Sequence, residues 1–356
     1  MVNGVELIKQ VIFHNMNHLK DLIYVIVGNY FNLIKIIKYM KLIENKVDGY
    51  TQSAGIDGIY EAVRSAAAIC YQTDIAKMSL MPKEFVEQVL LKNGHTRPLE
   101  FGTVYLRIPS KDASHWGIDH KHKTNKLFLY MHNPYSKVTN GFDNNHEEYY
   151  ITTNMRVIMQ GYYSTDKEAF DNGYDQNWLD DLRYLCDPTP KHEKRYTFNI
   201  ILSRGCSDDF RTHITLSSIC ESTRFCNYSK GKFGKELTFI RPYWIDQEVA
   251  SKYFDDDMVK NYSDYMNEFS FLDSMKKEEN NYMAQSLNNL QPQQLKRLYP
   301  LGAKCELRLC GFEDAWLNFL WRRNDGHADP ECQYIAKLIQ EKLTQYGKEE
   351  NCNTAY

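Results

Sequence analysis

The chain has 356 residues, with 43 Lys and Arg against 46 Asp and Glu and a formal net charge of -3. Hydrophobic residues make up 43% and charged residues 25%, the balance of an ordinary globular protein with length for one large domain or two modest ones. The slight acidic excess argues against a general nucleic-acid binder, which carries a clear basic surplus, and says nothing against a local anion pocket.

Residues 1–39 differ from the rest. The stretch 19–39 is rich in Ile, Leu, Val and Tyr, but Lys20, Asp21, Lys35 and Lys38 interrupt it, and the unbroken run 22–34 is too short for a comfortable membrane span. No small-residue cleavage site precedes Met40. We read Met40 as the natural start and residues 1–39 as an upstream read-through. The alternative is an amphipathic helix that docks on the domain or on a membrane surface. Residues 58–70 then place Ile59, Ala62, Val63, Ala66 and Ile69 at helical spacing, and 82–91 reads as a second helix with Pro82 in its first turn. Thr103, Tyr105 and Arg107 alternate with Val104, Leu106 and Ile108, a strand pattern. The polar stretch 109–147 reads as a long loop or insertion.

Further on, 149–159 reads as a strand, 177–185 as a short helix and 196–202 as a strand. Residues 271–290 read as a long helix with Leu272, Met275, Tyr282, Met283, Leu287 and Leu290 as its apolar positions. A strand over 304–309 and helices over 314–323 and 330–346 complete the pattern. Strands and helices mixed in this way indicate an α+β fold, a mixed sheet with flanking helices. The expected organisation is one domain over 40–346, with an insertion near 109–147 and a tail over 347–356.

The nine cysteines are odd in number and contain no C-x-x-C pair. They fit reduced thiols in a cytoplasmic protein better than a disulfide framework or a zinc site, and Cys206 and Cys220 read as structural. His115, His120 and His122 have only Asp119 as a nearby acid and no Cys, so they read as a polar loop and no metal site is expected.

The most informative stretch is 211–228, which gathers Arg211, His213, Ser217, Glu221, Ser222 and Arg224 around a few apolar residues, without Gly or Pro. Arg offers a planar fork and hydroxyls offer short donors, a combination that suits a phosphate. In helical register Ser217, Glu221 and Arg224 share one face. On composition alone this is an amphipathic helix with a solvated polar face and an i,i+3 Glu221–Arg224 ion pair.

The residues Thr212, His213, Ile214, Ser217, Ser222, Arg224 and Phe225 resemble the signature RHRxxSxxxxSxRY of the flavin-dependent thymidylate synthase family. The run 221–230 differs at one position from the ESTRYCNYSK of one branch of that family. The resemblance extends in order from Met40 to about Leu343. It includes Gly94-His95 through Leu99-Glu100-Phe101-Gly102-Thr103, the region of Lys296, Arg297 and Pro300, and Gly311-Phe312-Glu313-Asp314-Ala315-Trp316. Departures fall at Thr212 and Ile214, where the family has Arg, at Phe101, where it has His, and at Lys296 and Phe225.

The resemblance implies a homotetramer that makes dTMP from dUMP. Methylenetetrahydrofolate supplies the carbon, NADPH reduces FAD, and the reduced flavin gives the hydride; no nucleic acid or membrane partner is implied. Family positions put Ser222 and Arg224 on the nucleotide phosphate and Arg323 on the uracil, with Arg322 as the alternative. Ser222 and Arg323 are the catalytic candidates. Lys296 or Arg297 stands for a further nucleotide Arg, and Glu221 orients the nucleotide or its neighbouring Arg. His213, Asn318 and Thr103 match flavin positions, with Ser217 beside them and Arg211 as a substitute for the missing arginines. Trp316 and Trp321 read as core aromatics. The alternative is the same fold with altered or lost activity, acting on or only binding another pyrimidine nucleotide. A third reading is a scaffold with no specific ligand.

Overall fold

The computed structural model describes residues 40–115, 118–119, 124–143, 146–160, 179–255 and 262–353. The expectations for residues 1–39, for the His115, His120 and His122 side chains, and for the last residues of the tail lie outside what is described.

Two sheets organise the chain. They are built from Lys46–Gly49 (β1), Thr103–Pro109 (β2), Lys137–Asp143 (β3), His146–Asn154 (β4), Arg195–Ser203 (β5), Ser217–Cys220 (β6) and Lys304–Phe312 (β7). The larger sheet has the order β1-β5-β7-β6 and the smaller β2-β4-β3. Every ladder in both is antiparallel. The expected mixed sheet is thus corrected: these strands carry period-two alternation, which suits antiparallel pairing, and not the continuous apolar runs of a parallel sheet.

The helices that pack on the larger sheet are Gly55–Tyr71 (α1), Arg204–Phe210 (α2), Glu313–Arg323 (α4) and Pro330–Asn353 (α5), whereas Met266–Ser286 (α3) packs on the helices Gln247–Tyr253 and Pro292–Leu295. Phe198, Ile200 and Leu202 of β5 and Leu307 and Leu309 of β7 point to one face, where they pack with Trp316 and Phe319 of α4 and Ile335 and Ile339 of α5. On the opposite face Ile219 and Cys310 meet Ala66 of α1 and Phe101. The small residues of α1 allow a close approach: a Cβ on Gly102 would lie 2.8 Å from Val63 Cγ2. A buried cation, Arg308, crosses this interface, donating to Asn199 Oδ1 at 2.6 Å and Ser65 Oγ at 2.7 Å. The smaller sheet has its own core, with Val104, Leu106, Ile108 and Ile151 packed on Leu90 and Leu99.

Most expected elements form. The exceptions have physical reasons. The polar stretch 109–147 is not one loop, because Lys137–Asp143 pairs with His146–Asn154 residue for residue as a hairpin. The strand expected over 149–159 ends at Asn154, whose Oδ1 accepts from the N–H groups of Arg156 and Val157 and starts the helix Met155–Gln160. The helix expected over 177–185 is a 3-10 turn, Asp180–Tyr184. Leu287 falls beyond the end of α3 and is 82% exposed, so it is not a core position. Trp316 is fully buried, whereas Trp321 is 74% exposed and is no core aromatic.

Candidate functional site

The segment 211–228 is not a helix. After α2 the chain turns at 211–216, enters β6, and turns again after Cys220. Ser217 to Cys220 pair with Leu307 to Cys310 of β7, and ladder bonds to a buried strand outweigh a weak helical period. Ser217, Glu221 and Arg224 therefore share no helical face. The Glu221–Arg224 ion pair does not form: Glu221 is buried on Lys304 and Tyr228, while Arg224 is exposed.

Arg323, the last residue of α4, folds back onto the end of α2. Its Nε donates to His213 Nε2 at 2.9 Å, and Nη2 donates to Asp209 O at 2.6 Å and Thr212 Oγ1 at 3.1 Å. A guanidinium has no acceptor, so His213 Nε2 must be the unprotonated nitrogen and the ring is neutral with its proton on Nδ1. Burial, together with Arg323 and Arg322, holds the His213 pKa down to about 4. The imidazole also rests on Phe319, with ring centres 4.8 Å apart. This clasp uses Nε and Nη2 and leaves Nη1 of Arg323 without a partner among the described residues.

Beside the clasp lies an open cleft of about 530 Å3, bordered by His213, Ile214, Asn318, Trp321, Arg322 and Arg323. Arg322 Nε donates to Asn318 Oδ1 at 3.4 Å. Ile214 is 88% exposed at its edge. Two guanidinium groups, an amide, the Asp325 carboxylate and two exposed apolar side chains line the cleft, a surface for a flat ring that carries polar groups. The structure thus brings together three of the expected residues, His213, Asn318 and Arg323, from two segments about a hundred positions apart.

A second cluster surrounds Glu221. Its carboxylate accepts from Tyr228 Oη at 2.6 Å and Lys304 Nζ at 2.8 Å, and Lys304 also reaches Gln72 Oε1 at 3.2 Å. Burial pulls Lys304 down, but Glu221 more than offsets this and holds the ammonium above its usual value. Gln72 adopts a left-handed φ of 49° to end α1, which turns its side chain toward Lys304 and Glu306. Tyr228 stacks on Tyr299 at 4.9 Å. Burial, Tyr299 and Glu221 push the Tyr228 hydroxyl far up, so it stays a donor to the carboxylate. Glu221 is thus a buried framework acid. The turn it anchors presents the ligand-facing candidates: Ser222 Oγ accepts from the Arg224 N–H at 3.3 Å, and Phe225 leans on Tyr71 at 5.0 Å. The sequence reading missed Lys304, Gln72, Tyr299, Asp209 and Thr212 as partners. Only the acid–Tyr spacing of Glu221 and Tyr228 lies within one segment; the other partners come from distant strands and turns.

The remaining candidates lie elsewhere. Thr103 is buried at the start of β2, where its Oγ1 accepts from Arg195 at 3.1 Å, and it borders a separate cavity of about 260 Å3 with Tyr50, Tyr105 and Tyr196. It does not join His213 and Asn318, which border a different cleft. Arg211 ends α2 and pairs with Asp208 at 3.2 Å. Ser217 is buried opposite Cys310 in the ladder. Lys296 and Arg297 are exposed on a 3-10 turn. The Cys220 thiol is drawn below its usual value by a hydrogen bond from Cys305, against the cost of burial, with help from Arg211 and Arg204. Cys186 and His192 lie 3.8 Å apart but form no catalytic dyad: Nδ1 accepts from the Thr189 N–H at 3.1 Å, which leaves Nε2–H to donate to Leu106 O.

A sequence model of a family described as thymidylate synthase complementing protein (Thy1) matches residues 142–346, more than half of the chain. No curated protein sequence matches. Among solved structures, a thymidylate synthase X (ThyX) from Helicobacter pylori, described with FAD and dUMP, shares 20% identity over 41% of this chain, with a TM-score of 0.28. A second structure from the same organism, a flavin-dependent thymidylate synthase complexed with FAD and dUMP, shares 21% identity over 41% of this chain, also at 0.28. In both comparisons the chain spans 65% of the solved protein, just under two thirds.

Proposed function

The chain belongs to the thymidylate synthase complementing protein family, and from that premise we propose that it is an FAD-dependent thymidylate synthase that converts dUMP to dTMP. Methylenetetrahydrofolate and NADPH are the proposed co-substrates. The proposed domain spans 40–346, and the proposed setting is the cytoplasm, which suits the free thiols. One observation carries the reading: neutral His213, Asp209 and Thr212 fix Arg323 at the edge of a cationic cleft with one amino group still free to donate.

The donor set fits such ligands. Asn318 and Arg322 offer an amide and a cation to the flavin, and Ile214 and Trp321 offer it apolar surface. The bound flavin, reduced by NADPH, would supply the hydride. Arg323 Nη1 would donate to a uracil carbonyl and draw charge toward it, which favours attack at the ring carbon that takes the new group. Its other donors are already committed, so little orientation is lost on binding. Ser222 and exposed Arg224 would hold the nucleotide phosphate. Within one chain Ser222 and Arg224 share no hydrogen bond with the Arg323 clasp. We therefore assign the joining of these two halves to a homotetramer, in which exposed Phe225 finds a partner.

A second reading rests on Thr212 and Ile214, where two expected cations are missing: the protein binds the pyrimidine nucleotide but not the flavin. Absorbance spectra of the full chain after incubation with FAD and desalting, with dUMP binding measured in parallel, separate the two. A retained flavin band with dUMP-dependent NADPH oxidation supports the synthase. A folded, colourless protein that binds dUMP overturns it in favour of the second reading, and one that binds neither leaves a scaffold.

A further inference from the structure

Cys206 and Cys332 are free thiols, 3% and 0% exposed, on two helices that meet behind the Arg323 clasp. They are 126 residues apart in sequence, yet their Sγ atoms lie 2.7 Å apart, closer than two non-bonded sulfurs rest. Cys206 belongs to the first turn of α2, where its N–H donates to Ser203 Oγ at 3.2 Å. Cys332 belongs to the first turn of α5, with its Sγ 3.9 Å from Asp209 Oδ2. Asp209 is also the residue whose carbonyl oxygen holds Arg323. Both side chains are thus placed to join the helix that grips Arg323 to the helix that follows Arg323 in the chain.

We propose that Cys206 and Cys332 form a reversible disulfide that clamps α2 to α5 and locks the Arg323 clasp in its observed geometry. The Cys332 sulfur is assigned as the attacking group, with Cys206 as its partner. Burial and the neighbouring Cys332 push the Cys206 thiol well up, so Cys206 is not the first to attack peroxide. With hydrogen peroxide as oxidant, the Cys332 thiolate attacks one peroxide oxygen, the O–O bond breaks and hydroxide leaves, giving a sulfenic acid. The Cys206 sulfur then attacks that sulfur, its proton leaves with the hydroxyl as water, and the S–S bond forms. In sum two thiols give up two electrons and two protons, and one peroxide becomes two waters. A dithiol reductant returns both thiols by exchange. This link does not depend on flavin binding.

The test is peptide mapping of the full chain after graded peroxide treatment, with free thiols blocked by N-ethylmaleimide and digestion carried out without reductant. The expected result is a Cys206–Cys332 peptide pair that grows with the loss of two thiols per chain and disappears with dithiothreitol. The oxidised protein should melt roughly 5 °C higher, because the bridge closes a long loop. Cys206→Ala and Cys332→Ala should each abolish the pair and the shift. Sulfinic acid at either position without the pair, a Cys220–Cys305 pair in its place, or no loss of thiols would overturn the proposal. The mapping is read on the wild-type chain, so a poorly folded variant does not blunt it.

Discussion

Two charged clusters on this molecule each hold a cation by hydrogen bonds and behave oppositely. The Glu221 cluster pairs a carboxylate that is 2% exposed with a largely buried ammonium, and the pair is further hydrogen-bonded by Tyr228, Gln72 and the Glu306 N–H. Among the described residues no carboxylate is hydrogen-bonded to Arg323: Asp209 offers its carbonyl oxygen, and Asp325 only borders the cleft. The Arg323 clasp holds a cation with two neutral acceptors and a neutral imidazole, at the rim of an open cleft. A carboxylate in that position would neutralise Arg323 and consume its donors. Neutral acceptors orient it and leave its charge available for a ligand. A buried, fully paired charge is framework, and an oriented, unneutralised one is a binding edge.

The sharpest way to break this contrast is Lys304→Met. It strands the buried Glu221 carboxylate, and we expect a loss of about 3–5 kcal/mol in denaturant unfolding. A loss under about 1 kcal/mol would mean that the pair is solvated and the framework role is wrong. Next comes Arg323→Met. It should weaken dUMP binding about 10- to 100-fold, the worth of a charged hydrogen bond, with the unfolding midpoint little changed. Calorimetric titration beside a melting curve distinguishes this from a structural defect. A smaller gain is expected from Ile214→Arg, which leaves the Thr212 bond to Arg323 in place. Under the proposed function, one added cation on the cleft should tighten FAD binding by about tenfold, read by flavin fluorescence quenching.

A further effect concerns pH. His213 is neutral in the fold, with its pKa lowered from 6.5 to about 4. Between those values the unfolded chain binds the proton and the folded chain does not, so stability falls as pH drops from about 6.5 to 4 and this contribution levels off below. His213→Gln keeps an acceptor for Arg323 and should flatten that part of the stability–pH curve. An unchanged slope would show that the ring is not held neutral.

Much of the fold was legible in the residues. The small apolar positions of 58–70 and the alternation of 103–108, 196–202 and 304–309 each specified an element that formed, because burial of one face dictates the period. The boundary errors came where side chains intervened: Asn154 caps a helix and ends its strand early. The candidate site was legible in part. His213, Asn318 and Arg323 converge, whereas Thr103 faces another cavity and Glu221 lies beneath the surface. Exposed Trp321 and Leu287 were misread as core because hydrophobicity by itself does not say which side of a helix has a partner.

By itself, then, the sequence determined the alternating strands and amphipathic helices, and the ordered motifs that carry the family resemblance. These are local quantities: a period, a cap or a short run of residue types. The tertiary structure alone decided that the motif segment 211–228 is a turn, a strand and a turn, that its Glu221 answers to Lys304, and that Thr212 and His213 orient Arg323. Each of those outcomes depends on a partner 83 to 111 residues away, brought near by sheet pairing and helix packing. The same side chain becomes framework or binding edge according to whether that partner neutralises its charge or only orients it.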